Sequence, residues 1–186
     1  MKVIVGISGA SGVIYGIRLL EALGQAPQVE THLVLSATGK LNITLETGYS
    51  VANVEALANT VHNDRNLAAS ISSGSFRCDA MVVAPCSMKS LSGIVNSYSD
   101  TLLTRAADVT LKDRRPLILV PRETPLHLGH CKLLYEAAQL GAIIAPPMPA
   151  FYNKPTSVED IVDHTVGRLL DLLGLESGLA RRWDGA

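Results

Sequence analysis

Residues 3–16, VIVGISGASGVIYG, decide how this chain folds. An apolar run from Val3 to Ile7 meets the small-residue turn Ser8-Gly9-Ala10-Ser11-Gly12, and helical periodicity follows. A buried parallel strand feeding a tight turn and a helix gathers backbone N–H groups at the positive end of a helix dipole. That arrangement is an anion site, most often for phosphate. Small side chains let the phosphate approach the backbone closely. The alternative is that glycine and serine merely make a tight βα turn.

The glycine spacing is Gly6-x-x-Gly9-x-x-Gly12 rather than G-x-G-x-x-G. A nicotinamide-binding site ordinarily ends its second strand with an acid that holds the ribose hydroxyls. Here that strand reads Thr31-His32-Leu33-Val34-Leu35-Ser36, and Glu30 stands at its start, the wrong end. The turn also lacks the lysine of a nucleoside triphosphatase loop. NAD and ATP both lose ground, and a mononucleotide such as FMN gains.

Working outward, strand and helix patterns alternate. Strands are expected at 2–7, 30–36, 79–84, 116–121 and 142–145, and helices near 12–23, 37–47, 51–59, 87–95, 99–112, 126–139 and 157–173. Near-continuous apolar runs such as Ala80–Ala84 and Leu117–Val120 suit a parallel sheet covered on both faces. The expectation is an α/β fold, a three-layer doubly wound parallel sheet of flavodoxin or Rossmann type, with ligands at the C-terminal strand ends. Gly24 reads as a C-terminal helix cap and Ser157-Val158-Glu159-Asp160 as an N-terminal box. One flavoprotein domain is expected over 1–173, with 174–186 a tail that makes a subunit contact through Trp183, the only tryptophan.

Two stretches resist this pattern. Residues 60–78 contain the small polar run Ser70-Ile71-Ser72-Ser73-Gly74-Ser75 and read as a long connection, a type more often functional than inert. Residues 146–156, PPMPAFYNKPT, hold four prolines and two aromatics and suit a stiff wall or clamp.

Composition narrows the function classes. Of 186 residues, 47% are hydrophobic and 18% charged, so little charge is left for solvated surface and subunit burial is expected. The net charge of −1 favours neither nucleic acid nor an anionic membrane. Cys78, Cys86 and Cys131 are odd in number and lack metal-ligand spacing. With no signal peptide and no apolar run of about 18 residues, a reducing cytoplasm is the expected location.

Chemistry-bearing residues gather at strand ends. Pro85-Cys86-Ser87-Met88-Lys89-Ser90-Leu91 repeats the strand, turn, helix pattern, and Ser87 and Ser90 could bond a flavin edge or a phosphate, or serve as plain caps. Pro121-Arg122-Glu123-Thr124-Pro125 places an anion clamp beside a proton-handling acid, or else a loop-stiffening salt bridge. Lys112, Arg168 and Glu46 read by themselves as solvated charges. Tyr152 beside Lys154 suits packing or a phosphate. His127 and His130 offer two metal ligands without a third, so no metal is expected.

The segments VGISGASGVIYG, LETGYS, SISSGS, PCSMKSLSGI, LLTRAADVTLKDRRPL, PRETPLHLGH and PAFYNKP, in order from residue 2 to about 170, resemble the UbiX family of flavin prenyltransferases. The resemblance implies an enzyme that joins dimethylallyl phosphate to N5 and C6 of reduced FMN without a metal. The product, prenyl-FMN, is the cofactor of UbiD-type decarboxylases, and ubiquinone synthesis is the favoured setting. FMN would sit on Gly9, Ala10, Ser11, Ser36, Ser87, Met88, Lys89, Ser90 and Arg122. Lys112, Arg122, Tyr152 and Arg168 would grip the prenyl phosphate, with Glu123, Ser11 and Glu46 close by as catalytic groups. Several of these would meet only across subunit interfaces, because the family forms dodecamers.

Two rivals stand beside this reading. A flavin decarboxylase of the same fold would need a histidine on an early helix and an asparagine motif after the 79–84 strand, where PCSMKS stands instead. A non-catalytic flavin-carrying subunit would need no cationic set at the flavin edge.

Overall fold

The computed structural model describes residues 1–180. Six parallel strands form one sheet: β1 (Lys2–Ile7), β2 (Glu30–Leu35), β3 (Thr60–Asn63), β4 (Ala80–Cys86), β5 (Leu117–Pro121) and β6 (Ile143–Ile144). Their spatial order is β3-β2-β1-β4-β5-β6. The order reverses between β1 and β4, and a doubly wound sheet opens its ligand crevice at such a switch point. The expected α/β architecture is the one observed.

Alternation along the strands divides the interior in two. Val3, Val5 and Ile7 of β1 face one core with α1 (Val13–Gly24) and α7 (Val158–Leu172). Ile4 faces the other, with α4 (Met88–Val95), α5 (Leu102–Lys112) and α6 (Leu128–Gln139). All seven residues of β4 are buried, as its apolar run requires. Two further helices, α2 (Ala37–Glu46) and α3 (Val51–Glu55), follow β2.

The structure departs from the sequence reading in several places, among them the helix expected over 51–59, which ends at Glu55, and the strand expected over 142–145, which is only Ile143–Ile144. Thr60–Asn63, read as connection, is the edge strand β3, pairing with β2 alone from His32↔Thr60 to Leu35↔Asn63. Its half-exposed, polar pattern carries no continuous apolar signal. The rest of that connection is a strap holding a short 3-10 turn at Ser70–Ser72, with Ile71 buried beneath it. Gly24 is the last helical residue of α1, and Gln25, in right-handed geometry, takes the C-cap position instead. At the N-terminus of α7 the expected box is present, Ser157 and Asp160 capping one another reciprocally. In the tail, Leu175 and Leu179 pack against the core that contains α1 and α7. Arg181, Arg182, Trp183 and Asp184 lie outside the described residues.

Candidate active site

The glycine-rich turn after β1 is held by its neighbours at every step. Ser8 is fully buried. Its Oγ donates to the Pro85 carbonyl at 2.8 Å and accepts the Ser87 N–H at 2.7 Å, tying the turn after β1 to the turn after β4. Asn42 Nδ2 donates to the Ala10 carbonyl at 3.1 Å. Gly12, at the N-cap of α1, has φ 97°, a left-handed conformation that favours glycine. It offers no side chain to cap the helix, and Glu46 at the end of α2 does so instead. One Glu46 oxygen accepts the Gly12 N–H at 2.8 Å and the Val13 N–H at 3.4 Å. The anion expected at this helix terminus is therefore partly supplied by the chain itself. Arg122, just after β5, donates from Nε to the Ser11 carbonyl at 3.2 Å. Ser11, Glu46 and Arg122, far apart in sequence, are thus brought onto one turn.

Beside the turn, at the β1/β4 switch point, lies a cleft of about 880 Å³. Gly9, Ser36, Ser87, Lys89 and Ser90 line it, together with Asp64, Arg65 and Thr101. Ser36 and Ser87 are the N-caps of α2 and α4: Ser36 Oγ accepts the Gly39 N–H and Ser87 Oγ the Ser90 N–H. Two positive helix ends thus border the cleft. A Cβ on Gly9 would lie 2.4 Å from Thr38 Cβ, so only glycine keeps this wall of the cleft in place. The size falls within the range of cofactor sites, roughly 300–1,000 Å³. Hydroxyls, amide dipoles and the neighbouring Arg122 form a donor set that fits a flavin mononucleotide. Of the other residues expected at FMN, Ala10 is buried at the turn and Met88 packs partly against the second core.

The remaining expected residues are spread over the protomer. Glu123 follows Arg122 and is exposed, its Oε1 accepting the Thr124 N–H at 2.9 Å. Tyr152 lies in the proline-rich segment, with its hydroxyl 3.4 Å from Nε2 of the buried His164. Arg168, on α7, is paired with Asp171 at 2.5 Å. Lys112 is not near Arg122. Helix α5 starts at the C-terminal edge of the sheet, where Leu102 N–H donates to the Asp64 carbonyl. It ends at Lys112, shortly before β5 begins at Leu117. Lys112 therefore lies at the opposite end of the sheet from Arg122.

Sequence reasoning missed Ser8, Asn42 and Asp64. Ser8 stood in the quoted turn, but nothing in its spacing distinguishes a clamp from a small spacer. Asp64 accepts the Leu103 N–H at 2.9 Å, and its burial pushes its carboxyl above the usual carboxylate range. Cys86, at the end of β4, is buried, and burial pushes its thiol up to about 12, which keeps it from acting as a nucleophile. The His127 and His130 rings lie against one another, tilted by 31°, with centroids 3.6 Å apart. His127 Nδ1 accepts the Gly129 N–H, which caps α6. Among the described residues, no group of three or more His, Cys, Asp or Glu side chains is arranged to hold a metal.

Known proteins resemble this chain along its whole length. The Flavoprotein family matches residues 1–170. The flavin prenyltransferase UbiX of Escherichia coli K12 is 56% identical over 187 residues, covering all of this chain and 99% of its own. A solved structure of a dodecameric FMN-dependent UbiX-like decarboxylase from Escherichia coli O157:H7 superposes with a TM-score of 0.98 at 55% identity, covering 100% of both chains. AnUbiX (PadA1), solved in complex with FMN and dimethylallyl pyrophosphate, superposes with a TM-score of 0.97 at 49% identity, over 100% of this chain and 98% of the other.

Proposed function

The chain belongs to the UbiX family of flavin prenyltransferases, and from that premise we propose how its residues divide the work. It is an FMN-using prenyltransferase, and the reaction is the joining of dimethylallyl phosphate to reduced FMN. The observation that carries the assignment of roles is the Arg122–Ser11 contact, which puts a fixed guanidinium on the glycine-rich turn beside the cleft.

When bound, reduced FMN supplies two nucleophilic positions, N5 and C6, and an electron-rich face that stabilises an allylic cation. Gly9, Ala10 and Ser11 provide the close backbone wall. Ser36 and the Ser87–Ser90 turn orient the flavin through hydroxyls and helix-terminal amides. Arg122 takes the departing phosphate, joined by Lys112, Tyr152 and Arg168. Cations aimed at developing negative charge lower the barrier to breaking the allylic C–O bond, and cost no reorganisation when they are already in place. Glu123, next to Arg122, handles the proton in the ring-closing step. Glu46 fixes the turn that bears Ser11.

Because Lys112 and Arg122 stand at opposite ends of one protomer, a complete phosphate site needs more than one copy of the chain. The dodecameric relative supports the same assembly here. We place the product as the cofactor of a UbiD-type decarboxylase, and the protein in the cytoplasm. Among the described residues, no helix is long and apolar enough to cross a membrane.

The test is anaerobic incubation of the purified protein with reduced FMN and dimethylallyl phosphate, followed by mass analysis of the flavin. A flavin heavier by one five-carbon prenyl group is expected. Unmodified flavin, or carbon dioxide released from a phenolic acid by the protein alone, would overturn the assignment.

A further inference from the structure

Lys112 is tethered. Its Nζ donates to Asp113 Oδ1 at 2.9 Å, while Asp113 Oδ2 pairs with Arg115 at 3.1 Å. Each oxygen of one carboxylate thus takes one cation. Arg115 is itself fixed: it donates to the Phe76 carbonyl at 2.8 Å and to the Gly74 carbonyl at 3.3 Å. Arg105 pins the same strap further back, donating to the Ser72 carbonyl at 3.1 Å. Asp113 is therefore anchored to backbone through Arg115 and does not follow the lysine about. Gly74 closes the arrangement, since a Cβ there would lie 2.7 Å from Lys112 Nζ and 3.1 Å from Asp113 Oδ2.

An isolated surface ion pair between sequence neighbours would ordinarily carry little weight. This one differs because its acid is held by a second cation, and because the strap leaves space for the ammonium only where residue 74 has no side chain. A lysine on a flexible four-carbon stem samples many positions, and ordering it on contact with a phosphate costs affinity. The Lys112, Asp113 and Arg115 side chains together keep a net charge of +1, so the tether spares the attraction for a phosphate anion. Without the carboxylate, the two cations would repel one another and Lys112 would swing away.

We propose that Asp113, anchored on Arg115 and shaped by Gly74, is the positioning residue that holds Lys112 ready for the prenyl phosphate bound on another copy of the chain. This rests on the role given to Lys112 above. It also assigns a purpose to the small polar strap 70–76: it is the seat of that lysine.

The experiment measures kcat/KM for dimethylallyl phosphate and, separately, the FMN Kd in Asp113→Asn, Asp113→Glu, Gly74→Ala and Lys112→Met. Asp113→Asn is expected to lower kcat/KM for the prenyl donor by about tenfold or more, as small displacements of positioning groups do. The FMN Kd stays unchanged, because Gly9, Ser36, Ser87 and Ser90, which line the cleft, are untouched by the substitution. Asp113→Glu restores most of the loss, and Gly74→Ala, which moves the ammonium without altering any charge, reproduces it. Normal kcat/KM in both Asp113→Asn and Gly74→Ala, with Lys112→Met inactive, overturns the positioning role alone. Full activity in Lys112→Met overturns the role of Lys112 instead. Should Asp113→Asn fail to assemble on size exclusion, Gly74→Ala decides the question.

Discussion

The Glu46 carboxylate caps the Gly12 amide at 2.8 Å, across a separation of 34 residues. A side chain from α2 thus does for α1 what its own N-cap glycine cannot. Loss of a helix N-cap costs about 1 kcal/mol. Glu46→Ala should lower the unfolding free energy by about that amount in urea titrations. Glu46→Gln, which keeps an acceptor oxygen, should retain most of the stability. Equal losses in the two variants would assign the effect to charge rather than to the hydrogen bond.

Ser8→Ala should be more costly. Ser8 N–H also donates to the Pro85 carbonyl, at 3.2 Å, so that acceptor keeps a partner when the hydroxyl is removed. The part-buried Ser87 N–H loses its acceptor, and leaving a donor unpaired in the interior costs about 1–3 kcal/mol, an upper bound at a site that borders the cleft. Denaturant midpoints would measure the loss. Because Ser87 lines the cleft, FMN affinity should fall in the same variant. Intact affinity in a destabilised variant would separate the clamp from the cleft.

Arg122 is the sharpest test of the chemistry. Removing one preorganised group that meets developing charge typically costs about 10²–10³-fold in turnover. Arg122→Ala should lose prenyl-FMN formation on that scale, measured by flavin mass analysis over time. Arg122→Lys should recover only part of it, since a lysine lacks the Nε–H that reaches the Ser11 carbonyl. Unchanged turnover in Arg122→Ala would take Arg122 out of the phosphate site.

Acid should loosen the β2–β3 edge. His32 is buried, with Nδ1 3.0 Å from His62 Nε2 and Nε2 3.1 Å from Glu30. Glu30 also pairs with Lys2 at 3.0 Å. Burial pushes both imidazoles below their ordinary value of 6.5. The unfolded chain then binds more protons than the folded one once pH falls through that value, so stability rises with pH across this range. The urea midpoint should fall between about pH 7 and about pH 5.5. His62→Gln should flatten the dependence. The lowered carboxyls Glu30, Asp113 and Asp160 lose their contribution only on further acidification, below their ordinary values of 4.5, 3.8 and 3.8.

Much of this fold was legible because local and tertiary signals agree. The run Ala80–Ala84 is apolar enough to be a central strand in any packing, and it is one. Ser87, read as a possible helix cap, is one, whereas Ser36, read as the end of a strand, caps α2; both line the cleft. Strand β3 was illegible because an edge strand half in solvent needs no apolar run. Glu46 and Asn42 read as ordinary helix residues, since their partners are backbone groups more than thirty positions away, which periodicity does not register. Family resemblance joined Lys112, Arg122, Tyr152 and Arg168 into one set, whereas the geometry of a single chain keeps Lys112 and Arg122 apart. That separation has no local signature at all.

An enzyme divided this way inherits a form of mutual insurance. On the reading above, a copy crippled at Arg122 still carries a sound Lys112, and a copy crippled at Lys112 still carries a sound Arg122. Two dead alleles expressed together would seed hybrid particles in which a fraction of centres is whole. Neither strain alone would grow where prenyl-FMN is required, and the merodiploid would.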